Sequence, residues 1–178
     1  MKKILTIIVT LTISTVAFSQ SEADIKKMVD VAVKMFTWDI EKVDRGALMF
    51  LDVPYQRDKQ DSVEYLTLTV AKDKKHKRPE FISMIVPSNV VKSNGIFLTF
   101  GNMDEEPTRV HFERCDEEIC TARIIGGFVM DEETNEKVDI FQKFLDYDHV
   151  YFMFIYSDGS HKSVAVPLSS FKEQYGNL

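Results

Sequence analysis

The sequence predicts a mainly β protein that forms a sandwich or a barrel, and three observations predict it. About nine segments after Thr37 are rich in β-branched and aromatic residues, which favour strands. Turn-forming residues separate these segments at spacings of about 8–15 residues, as in sandwiches and barrels. The Asp158–Gly159 pair lies between the last two segments, and Asp-Gly is among the strongest short hairpin signals. Residues 37–178 are expected to form a single domain, because their number lies within the usual size of one domain, about 100–200 residues.

The predicted strands follow one another with short connections. Ser62–Ala71 alternates apolar and polar residues, which is typical of a strand with one buried and one exposed face. His149–Tyr156 carries apolar residues on both faces, so we expect it to be buried on both sides. The nine segments are, in chain order, Trp38–Val43, Ala47–Val53, Ser62–Ala71, Glu80–Val86, Ile96–Phe100, Thr108–Phe112, Thr121–Ile125, His149–Tyr156 and His161–Val166.

Three segments have the residue spacing of helices. Residues 20–36 carry apolar side chains at helical intervals behind Ser21, and they are expected to form an N-terminal amphipathic helix. Glu132–Tyr147 has an apolar stripe and acidic residues at its start, which favour a helix N-terminus. Leu168–Tyr175 is expected to be a short helix or turn, with Ser169 as its cap.

Residues 1–19 have the pattern of a secretory signal peptide. A Lys-Lys pair precedes an apolar stretch of about 15 residues. Ala17 and Ser19 place small residues at the −3 and −1 positions of a cleavage site, so that Gln20 begins the mature chain. A membrane anchor is the alternative, but a bilayer span needs about 20 apolar residues. The sequence therefore predicts a periplasmic or secreted protein with no transmembrane segment after signal removal.

The charge of the chain argues against nucleic acid as a partner. The net charge is −6, and it becomes −8 when Lys2 and Lys3 leave with the signal peptide. A polyanion is repelled by that balance. One segment, Lys72–Arg78, is basic although the net charge of the chain is negative. It is either a solvated hairpin loop or a small patch for an anionic surface such as a lipid headgroup or a glycan.

The two cysteines, Cys115 and Cys120, are expected to form a structural disulfide. A four-residue loop between two extended segments places them opposite each other in a hairpin, and an exported protein meets an oxidising compartment. A metal site would need further Cys or His residues nearby, and only His111 is close in sequence. A redox-active pair usually has Cys-x-x-Cys spacing at a helix start, and the acidic loop here would raise the pKa of the thiols.

No catalytic residues, metal ligands or cofactor are predicted. The chain has no Gly-x-Ser-x-Gly elbow and no phosphate-binding glycine loop. No metal site is expected from the histidines, because those of the last hairpin, His149 and His161, lie far apart along it. The four histidines are His76, His111, His149 and His161.

Clusters of acidic residues and a large number of aromatic residues are conspicuous in the sequence. Three acidic clusters occur where turns are expected, and they are either solvated loop tips or weak calcium sites. The 13 Phe and 6 Tyr either fill the core or line a ligand cavity. The acidic clusters are Asp104–Glu106, Asp116–Glu118 and Asp131–Glu133.

Three motifs resemble those of the invasion-associated locus B family. Val110–Arg123 resembles the family's F-x-R-C-x4-C-x-A segment, and Ile85–Leu98 is similar to its V-P-x-G-x-x-L…G-V-x-L stretch. Val164–Phe171 resembles the closing V-x-x-P-L-S-L-x-G-F. The order and spacing agree over residues 80–178, and Trp38 is similar to a tryptophan near the family's mature N-terminus.

The sequence also departs from that family in two places. Many members carry a second cysteine pair in the N-terminal half, whereas no cysteine lies between Gln20 and Arg114 here. The amphipathic helix before Trp38 is not part of the family's pattern.

The resemblance implies an immunoglobulin-like β-sandwich without enzymatic activity, exported by bacteria and linked to host-cell invasion in some pathogens. Only Cys115 and Cys120 receive a role from it, as a disulfide. We therefore expect a non-enzymatic interaction protein of the envelope or secretome, whose partner is a protein or an envelope or host-surface component. The alternative is a periplasmic small-ligand binder or hydrolase with an aromatic-lined cavity beneath the Glu132–Tyr147 helix. A third interpretation is an envelope-stability factor without a ligand.

Overall fold

The computed structural model describes residues 36–57, 62–101, 106–132 and 134–178, and these ranges contain twelve strands and two helices. The predicted signal peptide and the predicted helix of residues 20–36, apart from Phe36, lie outside the described residues. The strands are β1 (Asp39–Val43), β2 (Gly46–Gln56), β3 (Val63–Asp73), β4 (Pro79–Pro87), β5 (Ile96–Phe100), β6 (Thr108–Val110), β7 (Phe112–Cys115), β8 (Ile119–Ile125), β9 (Phe128–Met130), β10 (Lys137–Asp139), β11 (His149–Ile155) and β12 (His161–Pro167). The helices are α1 (Ile140–Asp146) and α2 (Ser169–Gly176).

The strands form three antiparallel sheets. The largest sheet has the order β1-β2-β3-β4-β8-β7, the second has the order β12-β11-β5-β6, and β10 and β9 form a separate ribbon. Every segment predicted to be extended contains a strand, and β7, β9 and β10 are additional. The prediction of a mainly β protein is confirmed.

The two larger sheets share one hydrophobic core. In β2, the side chains of Met49, Leu51, Val53 and Tyr55 alternate with more exposed residues and point into it, as the period of two in a strand requires. The second sheet contributes from β11, where the ring of Phe154 meets that of Tyr55 at a centroid distance of 5.6 Å.

The segment Thr108–Phe112 is not one strand, as the sequence suggested. It divides at His111, and β6 pairs with β5 in the four-stranded sheet, whereas β7 pairs with β8 in the six-stranded sheet. Crossing between the sheets lets Val110 and Phe112 both contact the same core. Local alternation cannot show such a crossing, because each half still looks extended.

The predicted helix Glu132–Tyr147 is shorter than its spacing suggested, since only α1 (Ile140–Asp146) is helical. Its first part forms a turn and then β10, where Val138 pairs with Val129 of β9. Asn135 adopts a left-handed φ of 57°, a conformation that asparagine tolerates better than most residues and that interrupts a helix. The helix begins after Asp139, whose carboxylate accepts a hydrogen bond from the backbone N–H of Gln142 at 2.9 Å.

Two smaller predictions about burial and capping also differ from the structure. Ser169 is not the cap of the last helix, because α2 begins after Leu168 and has no side-chain cap. Ser170 instead donates a hydrogen bond to the backbone oxygen of Phe36 at 2.6 Å. Strand β11 is fully buried on one face only, and the residues of its other face, such as Tyr151, are half-buried.

Candidate interaction surfaces

The two cysteines lie opposite each other in the hairpin of β7 and β8. Cys115 and Cys120 are paired in register with their Cα atoms 4.0 Å apart, and their sulfur atoms are at bonding distance. Cys120 is buried in the core beneath the edge of the six-stranded sheet. The turn is held by Asp116, whose carboxylate accepts hydrogen bonds from the backbone N–H groups of Ile119 and Glu118. These bonds lower the pKa of Asp116.

The acidic clusters that the structure describes have protein partners. Asp131 accepts hydrogen bonds from the backbone N–H and the hydroxyl of Thr134, at 2.8 and 2.9 Å. Glu132 pairs with His111 and, at 3.2 Å, with Arg109. The hydrogen bond from His111 and the nearby guanidinium of Arg109 lower the pKa of Glu132. Asp104 and Glu105 of the first cluster lie outside the described residues.

The histidines do not form a metal centre within the described part of the chain. No group of three or more His, Cys, Asp and Glu residues there is arranged to hold a metal ion. His161 pairs in register with Ile155 beside the last turn, whereas His149 pairs with Pro167 at the far end of the same hairpin. His76 lies in the exposed loop between β3 and β4.

Aromatic side chains fill the space beneath α1. The ring of Phe144 lies 5.6 Å from that of Phe100 and 5.4 Å from that of Phe171, and all three side chains are fully buried. Phe141 contacts Tyr175 at 4.9 Å, and Trp38 contacts Phe171 at 5.3 Å. The space beneath α1, where the alternative interpretation of the sequence places a ligand cavity, is therefore occupied by the core itself.

A buried polar cluster links the two sheets at one end. The hydroxyl of Tyr156 donates a hydrogen bond to the carboxylate of Glu64, and its oxygen lies 3.4 Å from that of Tyr55. The guanidinium of Arg57 covers the Tyr156 ring at 4.0 Å and pairs with Asp158 in the last turn. Burial, followed by the interactions with Glu64, raises the pKa of Tyr156. The cluster therefore acts as a cross-link between the two sheets.

The outer face of the six-stranded sheet carries an apolar row. The row is defined by residues that pair in register across four strands, which are Leu48 of β2, Ala71 of β3, Phe81 of β4 and Ile125 of β8. Ile125 is 65% exposed, and Arg123 covers the Phe81 ring at 5.0 Å. The solvated face of an antiparallel sheet is usually polar, so this row is unusual. Sequence analysis missed it, because alternate apolar residues such as Phe81 and Ile85 could not be assigned to a face.

The basic run Lys72–Arg78 begins in the last two residues of β3 and continues through the loop to β4, in which Lys74, Lys75, His76 and Lys77 are exposed. Beside it, a cleft of about 180 Å³ is bounded by the β1–β2 turn and the residues that follow α2. The sequence identified the run but not this cleft, because Lys42, which also lines the cleft, comes from a distant part of the chain.

These features define a class of protein with two β-sheets around one aromatic core and a cysteine pair at a sheet edge. The chain belongs to the invasion associated locus B (IalB) protein family, whose sequence model matches residues 50–175. No curated protein matches the chain in a sequence comparison.

A solved structure supports the same fold. The crystal structure of invasion associated protein B from Bartonella henselae is similar with a TM-score of 0.52 and 13% sequence identity. The match covers 79% of this chain and 89% of that one. In the part of the chain that the structure describes, no helix is both long and apolar enough to cross a membrane.

Proposed function

We propose that this chain is an exported, non-enzymatic interaction protein of the bacterial envelope or secretome, with a role associated with invasion. The apolar row on the outer face of the six-stranded sheet carries the proposal. Ile125 is 65% exposed, Leu48 and Phe81 are half-buried, and Ala71 is buried between them. Exposed apolar surface of this kind marks a place that a partner covers. Membership of the IalB family supports the link to invasion. Two sheets around one core support the immunoglobulin-like β-sandwich that the family resemblance implies.

The packed interior favours this proposal over a small-ligand binder or hydrolase. A binding pocket for a drug-sized ligand usually has a volume of about 300–1,000 Å³. Beneath α1, where such a pocket was considered, the rings of Phe100, Phe144 and Phe171 contact one another directly. The partner is therefore proposed to be a protein that docks on the outside of the sheet.

A charged substitution in the apolar row tests the interaction. The mature Ile125→Lys protein and the wild type are incubated with detergent extracts of the producing bacterium's envelope, cross-linked and recovered, and the retained proteins are identified by mass spectrometry. We expect a protein that the wild type retains reproducibly to fall about tenfold or more with Ile125→Lys, because an ammonium group without a partner is costly to bury.

Ile40→Lys is the matched control. Ile40 is 41% exposed and pairs with Met49, so it lies on the other face of the same sheet. It introduces the same charge and should leave the retained protein unchanged. Equal capture by Ile125→Lys and wild type, or no reproducible partner, would contradict the proposal.

Export and the disulfide are tested together. We propose that Cys115 and Cys120 are oxidised in the mature chain, which fractionation should place in the periplasm, at the surface or in the medium. Cys115→Ser with Cys120→Ser is expected to lower the free energy of unfolding by about 2 kcal/mol, because so short a loop restrains the unfolded chain only modestly. Urea denaturation measures the change. Alkylatable thiols in protein from the exported fraction, or accumulation in the cytoplasm, would refute this part of the proposal.

A further inference from the structure

One end of this acidic protein carries a concentrated positive charge. The β1–β2 turn and the β3–β4 connection, taken with the adjoining strand ends as residues 42–47 and 72–78, together hold seven basic and two acidic residues, although the whole chain has a net charge of −6. The two segments are joined by a hydrogen bond of 3.0 Å from the backbone N–H of Lys74 to the backbone oxygen of Arg45. The fold therefore assembles a basic surface from two parts of the chain.

Close backbone contact fixes this arrangement. Gly46 pairs in register with Asp73, and a Cβ atom at Gly46 would lie 1.8 Å from the backbone oxygen of Lys72. Only glycine can occupy that position without separating β2 from β3. The turn that carries Arg45 is consequently held against the end of β3.

The lysines at this end are held in place by backbone oxygens. Lys72 donates a hydrogen bond to the backbone oxygen of Tyr175 at 3.1 Å and lies 4.5 Å from the centre of its ring. Lys74 donates to the backbone oxygen of Asp44 at 3.0 Å. Both contacts fix the ammonium groups without neutralising them.

Most of these cations have no acidic partner. Arg78 is paired with Asp139. The carboxylate of Asp73 accepts a hydrogen bond from the backbone N–H of Lys75 at 2.6 Å, so it helps to shape the loop. Among the described residues, no ion pair is formed by Lys42, Arg45, Lys72, Lys74, Lys75 or Lys77.

Three of the lysines surround the small cleft at this end. Lys42, Lys72 and Lys74 line it together with Asp73, and its other walls are formed by Gly46, Ala47, Asn177 and Leu178. Its volume of about 180 Å³ is below the usual size of drug-ligand pockets, so it fits a small group rather than a whole cofactor. Like charges around a concave surface attract an oppositely charged group, and lysine binds phosphate as a point charge.

We propose that this basic cleft binds a phosphate group, with Lys42, Lys72 and Lys74 supplying the positive charge. A phosphate monoester carries up to two negative charges, and the ammonium groups of Lys42, Lys72 and Lys74 outnumber the Asp73 side chain that lines the cleft with them. The phosphate is either free or borne by a lipid headgroup. The site goes beyond the proposed protein interaction, because it uses lysines of the cleft and not the apolar row.

Two probes separate these sources of phosphate. The full mature protein is titrated with inorganic phosphate by calorimetry, and it is sedimented with phosphatidylcholine vesicles with and without phosphatidic acid. We expect Lys42→Gln with Lys74→Gln to weaken binding about tenfold or more, since each charge-assisted contact contributes substantially. Binding of both probes indicates a site for phosphate in general, and binding of the acidic vesicles alone identifies the lipid headgroup as its source.

The control variant must remove as much positive charge as the cleft variant does. Lys92→Gln with Lys162→Gln removes two positive charges away from the cleft and should retain wild-type binding. Because Lys74 also holds the β1–β2 turn, Lys42→Glu provides a second variant at an exposed residue, and it should weaken binding while melting like the wild type. The proposal is overturned if neither probe binds, or if the control variant loses as much affinity as the cleft variant. Neither result alters the partner-capture experiment with Ile125→Lys.

Discussion

Replacement of Phe144 by alanine is expected to lower the free energy of unfolding by about 3–5 kcal/mol, the largest single-residue effect predicted for this fold. The side chain is 0% exposed and contacts the rings of Phe100 and Phe171. Its removal leaves a cavity between α1, β5 and α2, which the surrounding backbone cannot close. Because a small domain is stabilised by only about 5–15 kcal/mol, such a loss is a large part of the total.

Urea denaturation measures this loss, and the protein contains its own probe. Trp38 is the single tryptophan, is 2% exposed and contacts Phe171, so its fluorescence reports on the same cluster. Phe97→Ala is the matched control, because Phe97 is only half-buried and should cost clearly less. A loss below about 1 kcal/mol for Phe144→Ala would mean that the space beneath α1 is not packed as described.

The strands could be predicted from the sequence because their signal is local. In β3, alternation of Leu66, Leu68 and Val70 with more polar residues reflects one buried face, and the structure extends the predicted segment by only two residues at its end. The last hairpin was also predictable from a local signal, the Asp-Gly pair. In the predicted turn, Gly159 adopts a φ of +83°, which glycine tolerates. At His111 the chain passes from one sheet to the other. The alternation of apolar and polar residues does not show that the partner strand changes there.

Helix length and surface composition depend on contacts that are distant in sequence. The stripe in Glu132–Tyr147 suggested a long helix, but pairing of β10 with β9 extends its first part. The register of the two cysteines was predictable, because a four-residue loop between two extended segments places them opposite each other. The apolar row needs the register of four strands, and the basic cleft needs Lys42 beside Lys74. Neither surface can be read from one segment.

Alkaline pH is expected to destabilise the protein steeply, because three buried tyrosines must ionise when it unfolds. Burial raises the pKa of Tyr55, Tyr156 and Tyr175, and Glu64 adds to the effect at the first two. In the unfolded chain a tyrosine loses its proton near pH 10. Above that pH the unfolded state has released protons that the folded state still holds, so the free energy of unfolding falls as pH rises. Each tyrosine contributes about 1.4 kcal/mol per pH unit, or about 4 kcal/mol per unit for all three.

Denaturation curves between pH 8 and 11.5 separate this linkage from the hydrogen bonds themselves. Tyr156→Phe removes the bond to Glu64 and lowers stability at every pH, but it should also reduce the alkaline slope by about a third, since one proton no longer takes part. Tyr65→Phe is the control variant. Because Tyr65 is 53% exposed, this substitution should not change the part of the pH dependence that comes from the three buried tyrosines. If Tyr156→Phe only shifts the curve downward with an unchanged slope, Tyr156 ionises as readily in the folded protein as in the unfolded chain, and its hydroxyl does not form the buried link between the sheets.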